Sequence, residues 1–411
     1  MKILMVNKFL YPRGGAESYM LKIGEEFKKQ GNEVEYFGMY DDKNTVFNSA
    51  GQYTRNMDFH TNSLKKLLYP FKIIYSFEAR KKIGMVLDKF KPDVIHLNNI
   101  NFQLTPSVID AAKKRNIPVI WTLHDYQLVC PNHLLYTENG VCEKCVGRKK
   151  TDCIKNKCIH SSFVKSVIGV LEAKFYKNKG TYKKVDAFIA PSEFLYKKLT
   201  DDNKQLFLGK TFVLHNFVNK RDLPQNAKSN FDFPYVAFAG RLSAEKGTGV
   251  LAQTAKLLPE VKFVVMGNGP EEKAFNGISN IIKTGFVTGE ELDINIAKAK
   301  AVAVPSVCFE NCPMTILEAQ MFGVPCVTMN MGGMAELVED NVTGVLSKSV
   351  SPKDFAKAVK KILSNEEALK NMKENCLAKA KTSLTAEDYC KKLTEIYKNI
   401  INTVNTVNKN N

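Results

Sequence analysis

The chain has 411 residues, 44% of them hydrophobic and 25% charged, an ordinary globular balance that excludes a disordered, collagen-like or disulfide-framework protein. Lys and Arg number 59 against 42 Asp and Glu, a net charge of +17, which asks for a polyanionic partner without choosing among nucleic acid, anionic membrane and small phosphates. No run approaches the ~18 apolar residues of a membrane span.

The opening apolar run, residues 1–6, breaks at Asn7 and Lys8. It reads as a first strand rather than a signal peptide, so the protein is expected in the cytoplasm, at most resting on a membrane surface. Further strands are predicted at 33–37, 94–97, 119–123, 187–190 and 212–214, with helical patterns between them such as 17–30 and 106–115. The second half repeats the alternation, with strands at 235–239, 263–266, 281–284, 301–304, 326–329 and 345–346 and helices at 248–258, 315–322 and 352–363. Strand–helix alternation predicts parallel sheets covered on both faces. The fold class is therefore α/β, with two doubly wound Rossmann-like domains facing a cleft. The first domain is expected over 1–216 and the second over 235–385, joined by a polar linker at 217–234. A last helix and tail, 386–411, are expected to pack on the first domain, with the Asn-rich end from Asn402 frayed. Residues 126–162 break the alternation and read as a Cys-rich insertion in the first domain.

In doubly wound folds ligands bind at the carboxyl ends of strands. Gly240-Arg241-Leu242-Ser243-Ala244-Glu245-Lys246-Gly247 follows a strand and precedes a helix. Glycines admit a ligand close to the backbone, and a helix N-terminus favours an anion. Arg241 and Lys246 add two cations, the combination a departing diphosphate needs. Glu310 and Glu318 flank a helix start at Asn311-Cys312-Pro313, where Pro313 suits the first turn. Eight helical residues rise about 12 Å, beyond the ~5–9.5 Å of a glycosidase carboxyl pair. The two carboxylates thus suit gripping hydroxyls at two ends of a longer ligand. His124 ends the fourth strand, and His96 and Asn98 end the third, where they are candidates for the acceptor side. Gly14-Gly15-Ala16-Glu17 forms a glycine-rich loop before the first helix, without the spacing of a dinucleotide fingerprint.

In order, Gly240-Arg241 with Lys246, Gly285-Phe286-Val287, Glu310 with Glu318-Ala319, then Gly332-Gly333 and Glu336 resemble a retaining family 4 glycosyltransferase of the GT-B fold, of the polysaccharide-biosynthesis type. The resemblance covers essentially the whole chain. It implies that Arg241 and Lys246 bind the donor diphosphate, that Glu310 contacts the transferred sugar and that Glu318 holds the ribose. It places Val287 at the nucleobase, Gly240 and Gly267 beside the nucleotide, and the backbone of Asn311, Cys312 and Met314 at the donor sugar. Gly15 then borders donor phosphate and acceptor, and His124 hydrogen-bonds the donor sugar. Asp125 is assigned a local structural role. The catalytic set is thus His124, Glu310, Arg241 and Lys246, with a front-face course and no metal required for transfer.

Five of the ten cysteines, Cys130, Cys142, Cys145, Cys153 and Cys158, fall in the insertion. Cys142 and Cys145 have the two-residue gap of a zinc hairpin. A structural zinc on Cys142, Cys145, Cys153 and Cys158 is expected, with Cys130 or His160 as substitutes; free or redox-active thiols are the alternative. Residues 144–184 carry twelve Lys or Arg against Asp152 and Glu172. Within them Phe163, Val167, Leu171 and Phe175 recur every four residues, and Leu64–Phe77 mixes apolar and basic residues. Either segment suits an anionic bilayer or packing on its own domain. The expected reaction is transfer of a hexose from a nucleotide sugar to a lipid-linked saccharide, with no nucleic-acid partner. A sugar-nucleotide hydrolase or phosphorylase is the alternative on the same fold. A zinc-containing nucleic-acid binder is a further one that leaves the Arg241, Lys246, Glu310 and Glu318 constellation without a role.

Overall fold

The computed structural model describes residues 1–56, 69–218, 221, 223, 224 and 229–409. Residues 64–68 of the apolar–basic segment and much of the expected linker lie outside the described residues. The chain divides into two compact units. One comprises Met1–Leu135, Cys142–His215 and Ala386–Asn411; the other comprises Tyr136–Val141 and Asn216–Thr385.

The first unit runs β1 (Lys2–Val6), α1 (Gly15–Lys29), β2 (Glu33–Phe37), α2 (Tyr69–Ile74), α3 (Phe77–Phe90), β3 (Val94–Leu97), α4 (Ser107–Lys113) and β4 (Val119–Thr122). After the hairpin β5 (Tyr136–Thr137) and β6 (Gly140–Val141), which groups with the second unit, come α5 (Asp152–Lys155) and α6 (Phe163–Asn178). Then follow β7 (Ala187–Ala190), α7 (Glu193–Phe207) and β8 (Thr211–Val213). The six strands form a parallel sheet in the order β2-β1-β3-β4-β7-β8. All residues of β3, β4 and β7 are buried, as continuous apolar runs in a parallel sheet covered on both faces should be.

The second unit runs β9 (Tyr235–Ala239), α8 (Thr248–Leu257), β10 (Lys262–Met266), β11 (Ile281–Gly285), α9 (Gly289–Ala297), β12 (Ala301–Val304) and α10 (Met314–Met321). It ends with β13 (Cys326–Met329), α11 (Met334–Leu337), β14 (Gly344–Ser347), α12 (Pro352–Leu363) and α13 (Glu366–Thr382). Its parallel sheet has the order β11-β10-β9-β12-β13-β14. Pro313 stands just before α10 at its N-cap rather than inside the first turn.

The last helix, α14 (Ala386–Lys409), belongs to the first unit. Its backbone is helical past Asn402, where sequence composition predicts fraying, as far as Lys409. Tyr389, Leu393 and Tyr397 recur at a four-residue spacing and are fully buried, which seats one stripe of the helix. Tyr397 Oη hydrogen-bonds His96 Nδ1 at the end of β3, and Tyr389 Oη meets Tyr19 Oη of α1 at 2.9 Å. His96 Nε2 lies 2.7 Å from Thr122 Oγ1, which lies 3.2 Å from Tyr19 Oη. Burial pushes the His96 imidazole down to about 3, so it is a neutral ring with its two nitrogens engaged. Tyr397→Phe leaves one of those buried nitrogens without its hydroxyl. It is expected to lower stability by about 1–3 kcal/mol, read from the midpoint of urea unfolding.

Candidate active site

Strand order reverses between β9 and β12, where the loops leaving the two strands depart in opposite directions. Such a switch point opens a crevice for ligands at the carboxyl ends of the strands. Gly240 leaves β9 there, and Pro305 leaves β12. The neighbouring strand ends come close: Gly240 N–H donates to Met266 O at 3.0 Å and Gly267 N–H to Gly285 O at 2.7 Å. Gly267 has φ +153°, and a Cβ on it would lie 1.9 Å from Gly240 O. Only glycine fits this approach. Gly247, with φ +74°, brings its loop equally close to Pro305 O.

The side chains meet across the same switch point. Lys246 Nζ lies 2.5 Å from Glu310 Oε1, and Ser306 Oγ donates to that oxygen at 2.8 Å. Burial alone raises a carboxyl; here the Lys246 ammonium and the two hydrogen bonds overcome it and hold Glu310 below the usual carboxylate range. Lys246 is correspondingly raised by Glu310 against the opposing effect of its own burial. Both groups are charged at neutral pH. Arg241 is exposed on the adjoining loop. The backbone of Glu310 is fixed as well, its carbonyl accepting from Gly333 N–H at 2.7 Å. Glu310 stands on the loop before α10, so helical rise does not set its separation from Glu318.

Glu318, in the first turns of α10, accepts from Arg221 Nη2 at 3.2 Å, while Arg221 Nη1 lies 2.8 Å from Asp293 Oδ2. Asn216 Nδ2 donates to Cys312 O at 2.9 Å and Asn216 N–H to Cys312 Sγ at 3.4 Å, fixing the turn at Asn311–Met314. Asn311 and Cys312 are buried, and burial pushes the Cys312 thiol up to about 12. Val287 and Met314 are partly buried against the core of this unit. Sequence reading passed over Arg221, Asn216 and Ser306. Arg221 sits in a polar stretch with no periodicity to mark it. Ser306, two residues past a strand end, was within reach of the strand-end rule.

Gly15 and His124 belong to the first unit. Gly15 opens α1, whose N-cap, Gly14, makes no side-chain cap. Asn7, just past β1, donates to Glu17 Oε1 at 3.2 Å and accepts from Asn99 N–H at 2.9 Å, tying the loops after β1 and β3 together. This is the switch point of the first sheet. His124 follows β4, its Nε2 2.9 Å from Asn98 Oδ1 and its ring edge-on to Tyr19 at 4.8 Å between centroids. Burial lowers His124 to about 4 despite the opposing charge of Asp125, so the imidazole is neutral at pH 7. Asp125 accepts from Gln127 N–H at 2.9 Å and from Asn101 Nδ2 at 3.0 Å, and lies 3.6 Å from His133.

In the Cys-rich stretch, Cys145 and Cys153 are buried together with Ile159, and Cys158 packs against them. Cys130, Cys145, Cys153 and Cys158 influence one another electrostatically, and Cys142 influences Cys130 and Cys158. The patch thus sets Cys130, named above as a substitute ligand, beside the expected thiols. All four thiols are pushed up, chiefly by burial, Cys145 to about 12. Among the described residues no three His, Cys, Asp or Glu side chains are arranged to hold a metal ion. His160 is lowered by burial.

Two Rossmann-like units, each a six-stranded parallel sheet, are the architecture of the GT-B fold. The family model described as Glycosyltransferase Family 4 matches residues 13–221, and that described as Glycosyl transferases group 1 matches 219–378. The chain belongs to glycosyltransferase family 4. It is 25% identical over 82% of its length to an uncharacterized 42.6 kDa protein in the cps region of Klebsiella pneumoniae, spanning 87% of that protein. It is 29% identical over 44% of its length to the UDP-Gal:alpha-D-GlcNAc-diphosphoundecaprenol alpha-1,3-galactosyltransferase of Escherichia coli, spanning about half (49%) of that enzyme. Among solved structures, sucrose-phosphate synthase from Thermosynechococcus elongatus shares the fold with a TM-score of 0.71 at 16% identity, covering 98% of this chain and 99% of that one.

Arg221→Ala removes the guanidinium shared by Asp293 and Glu318. Loss of a partner from a largely buried ion pair should lower the stability of the second unit by roughly 1–3 kcal/mol, measured by denaturant unfolding.

Proposed function

We propose that the chain is a retaining hexosyltransferase that moves a sugar from a nucleoside-diphosphate donor to a lipid-linked saccharide in the assembly of a surface polysaccharide. The observation that carries this reading is the Lys246–Glu310–Ser306 cluster at the switch point of the second sheet. A cation and a carboxylate held side by side suit a ligand that offers a phosphate and a sugar hydroxyl side by side. The relative from Escherichia coli, named for a UDP-Gal donor and a diphosphoundecaprenol-linked acceptor, supports the donor and acceptor classes. The cps-region relative supports the polysaccharide setting.

In this reading Arg241 and Lys246 bind the donor diphosphate and neutralise the charge that grows on it as its bond to the sugar breaks. Glu310 accepts from hydroxyls of the transferred sugar, while Ser306 and Gly333 hold its position. Glu318, oriented by Arg221, accepts from the ribose hydroxyls. Neutral His124, its Nε2–H donating to Asn98 Oδ1, accepts from a hydroxyl of the donor sugar without adding charge. The acceptor oxygen attacks the anomeric carbon from the face the diphosphate leaves. The carbon–phosphate-oxygen bond breaks as the new glycosidic bond forms, and the acceptor proton passes to the departing phosphate oxygen.

Lys246→Ala and Glu310→Gln are each expected to reduce transfer at least about a hundredfold. The assay is nucleoside diphosphate released from a panel of sugar nucleotides with membrane lipid extract as acceptor source. Near-wild-type turnover in either variant overturns the site assignment, and release of free sugar without an acceptor favours a hydrolase.

We also propose a structural zinc in the thiol patch, supported by the mutual proximity of Cys130, Cys145, Cys153 and Cys158. As they stand the thiols do not form a site, so closing one requires their side chains to turn toward a common centre. Native mass spectrometry is expected to show one zinc per chain, lost in Cys153→Ser; a metal-free native chain overturns it.

A further inference from the structure

Helix α6 is built inside out. Its buried positions are Ser166, Gly169, Glu172 and Tyr176. Its outer positions include Phe163, Val164, Leu171 and Phe175, which are 57%, 64%, 49% and 39% exposed. A surface helix ordinarily buries its apolar stripe and shows its polar one. The buried acid is the helix's only one, and burial pushes it up to about 8, so it brings little negative charge at pH 7. Exposed Lys165, Lys174 and Lys177 alternate with the apolar groups, and none of them has an ion pair among the described residues. The apolar surface continues onto the chain before α3. Tyr75 packs edge-on against Phe175 at 5.9 Å and against Phe77 at 4.9 Å, and Phe77 is 73% exposed.

We infer that the outer face of α6, extended by Phe77, docks on the surface of an anionic lipid bilayer. Large apolar side chains among unpaired lysines match the boundary between acyl chains and anionic headgroups, where the rings sink and the ammonium groups stay at the phosphates. Charge decides against a second copy of the chain. A symmetric contact between two such faces would set lysines against lysines with no acid to answer them. The inference deepens the proposed function, since a lipid-linked acceptor is presented at a membrane surface. It rests on that reading only for its purpose, because docking needs neither donor nor acceptor.

The test is flotation of the full-length protein with vesicles of phosphatidylcholine alone or of phosphatidylcholine with phosphatidylglycerol, without donor or acceptor. The wild-type chain is expected to float with the phosphatidylglycerol vesicles only, and to be released by salt. Phe163→Ser with Leu171→Ser, and separately Lys165→Glu with Lys174→Glu, should each weaken binding by about tenfold or more. Both double variants should keep the far-ultraviolet circular dichroism and the nucleoside-diphosphate binding of the wild type. Failure of the wild type to float, or flotation of both double variants like the wild type, overturns the inference. So does a dimer by gel filtration that Phe163→Ser with Leu171→Ser converts to monomer, since the face then serves a second copy. Loss of transfer to a lipid acceptor with vesicle binding intact would count against the proposed acceptor and not against the docking face.

Discussion

The second unit turns on the ion pair of Lys246 and Glu310. Glu310 is largely shielded from water and Lys246 is about a third exposed, and each charge is favoured chiefly by the other. The pair spans the one place in the sheet where neighbouring strands send their loops in opposite directions. Glycines at 240, 247 and 267 draw those loops close enough for the pair to form, while Ser306 holds the Glu310 carboxylate and Gly333 its backbone carbonyl. In the proposed reaction a donor offers Lys246 a phosphate and Glu310 a hydroxyl, so both charges keep partners when the ligand arrives. A site prepared in this way needs little rearrangement to receive its ligand.

The first unit solves a different problem. It holds two histidines at adjoining strand ends, His96 fully buried and His124 half-buried, both kept neutral. His96 is satisfied from below by Thr122 and by a tyrosine of the last helix, and His124 is oriented by Asn98. Tyr19 connects the two, through Thr122 on one side and by ring contact with His124 on the other. The carboxyl end of this sheet is thus a continuous polar layer rather than a set of separate side chains.

Much of this was legible in the sequence. The central strands are almost wholly apolar, His96 in β3 and Thr122 at the end of β4 excepted, because they are covered on both faces, and twelve strands of the two large sheets fall within a residue or two of their expected positions. Glycine followed by cations after a strand signalled the loop of Arg241 and Lys246. The pairing of Lys246 with Glu310 was not readable, since 64 positions separate them and only the topology brings them together. Arg221 was hidden for the same reason, in a stretch whose polarity signalled a linker. The outer face of α6 is the opposite case. The four-residue spacing of Phe163, Leu171 and Phe175 was visible, but periodicity marks a stripe without saying whether it faces inward.

The return of the last helix to the first unit has a consequence for how the chain reaches this fold. His96 waits on Tyr397, and Tyr19 on Tyr389, positions 301 and 370 residues further along the chain. During synthesis the whole second unit is made before those tyrosines leave the ribosome. The earlier half of the protein is therefore the later one to be completed. Until α14 arrives, its polar floor must be held by water or remain loose, and a chain cut short at its carboxyl end would show the damage in the half that was made first.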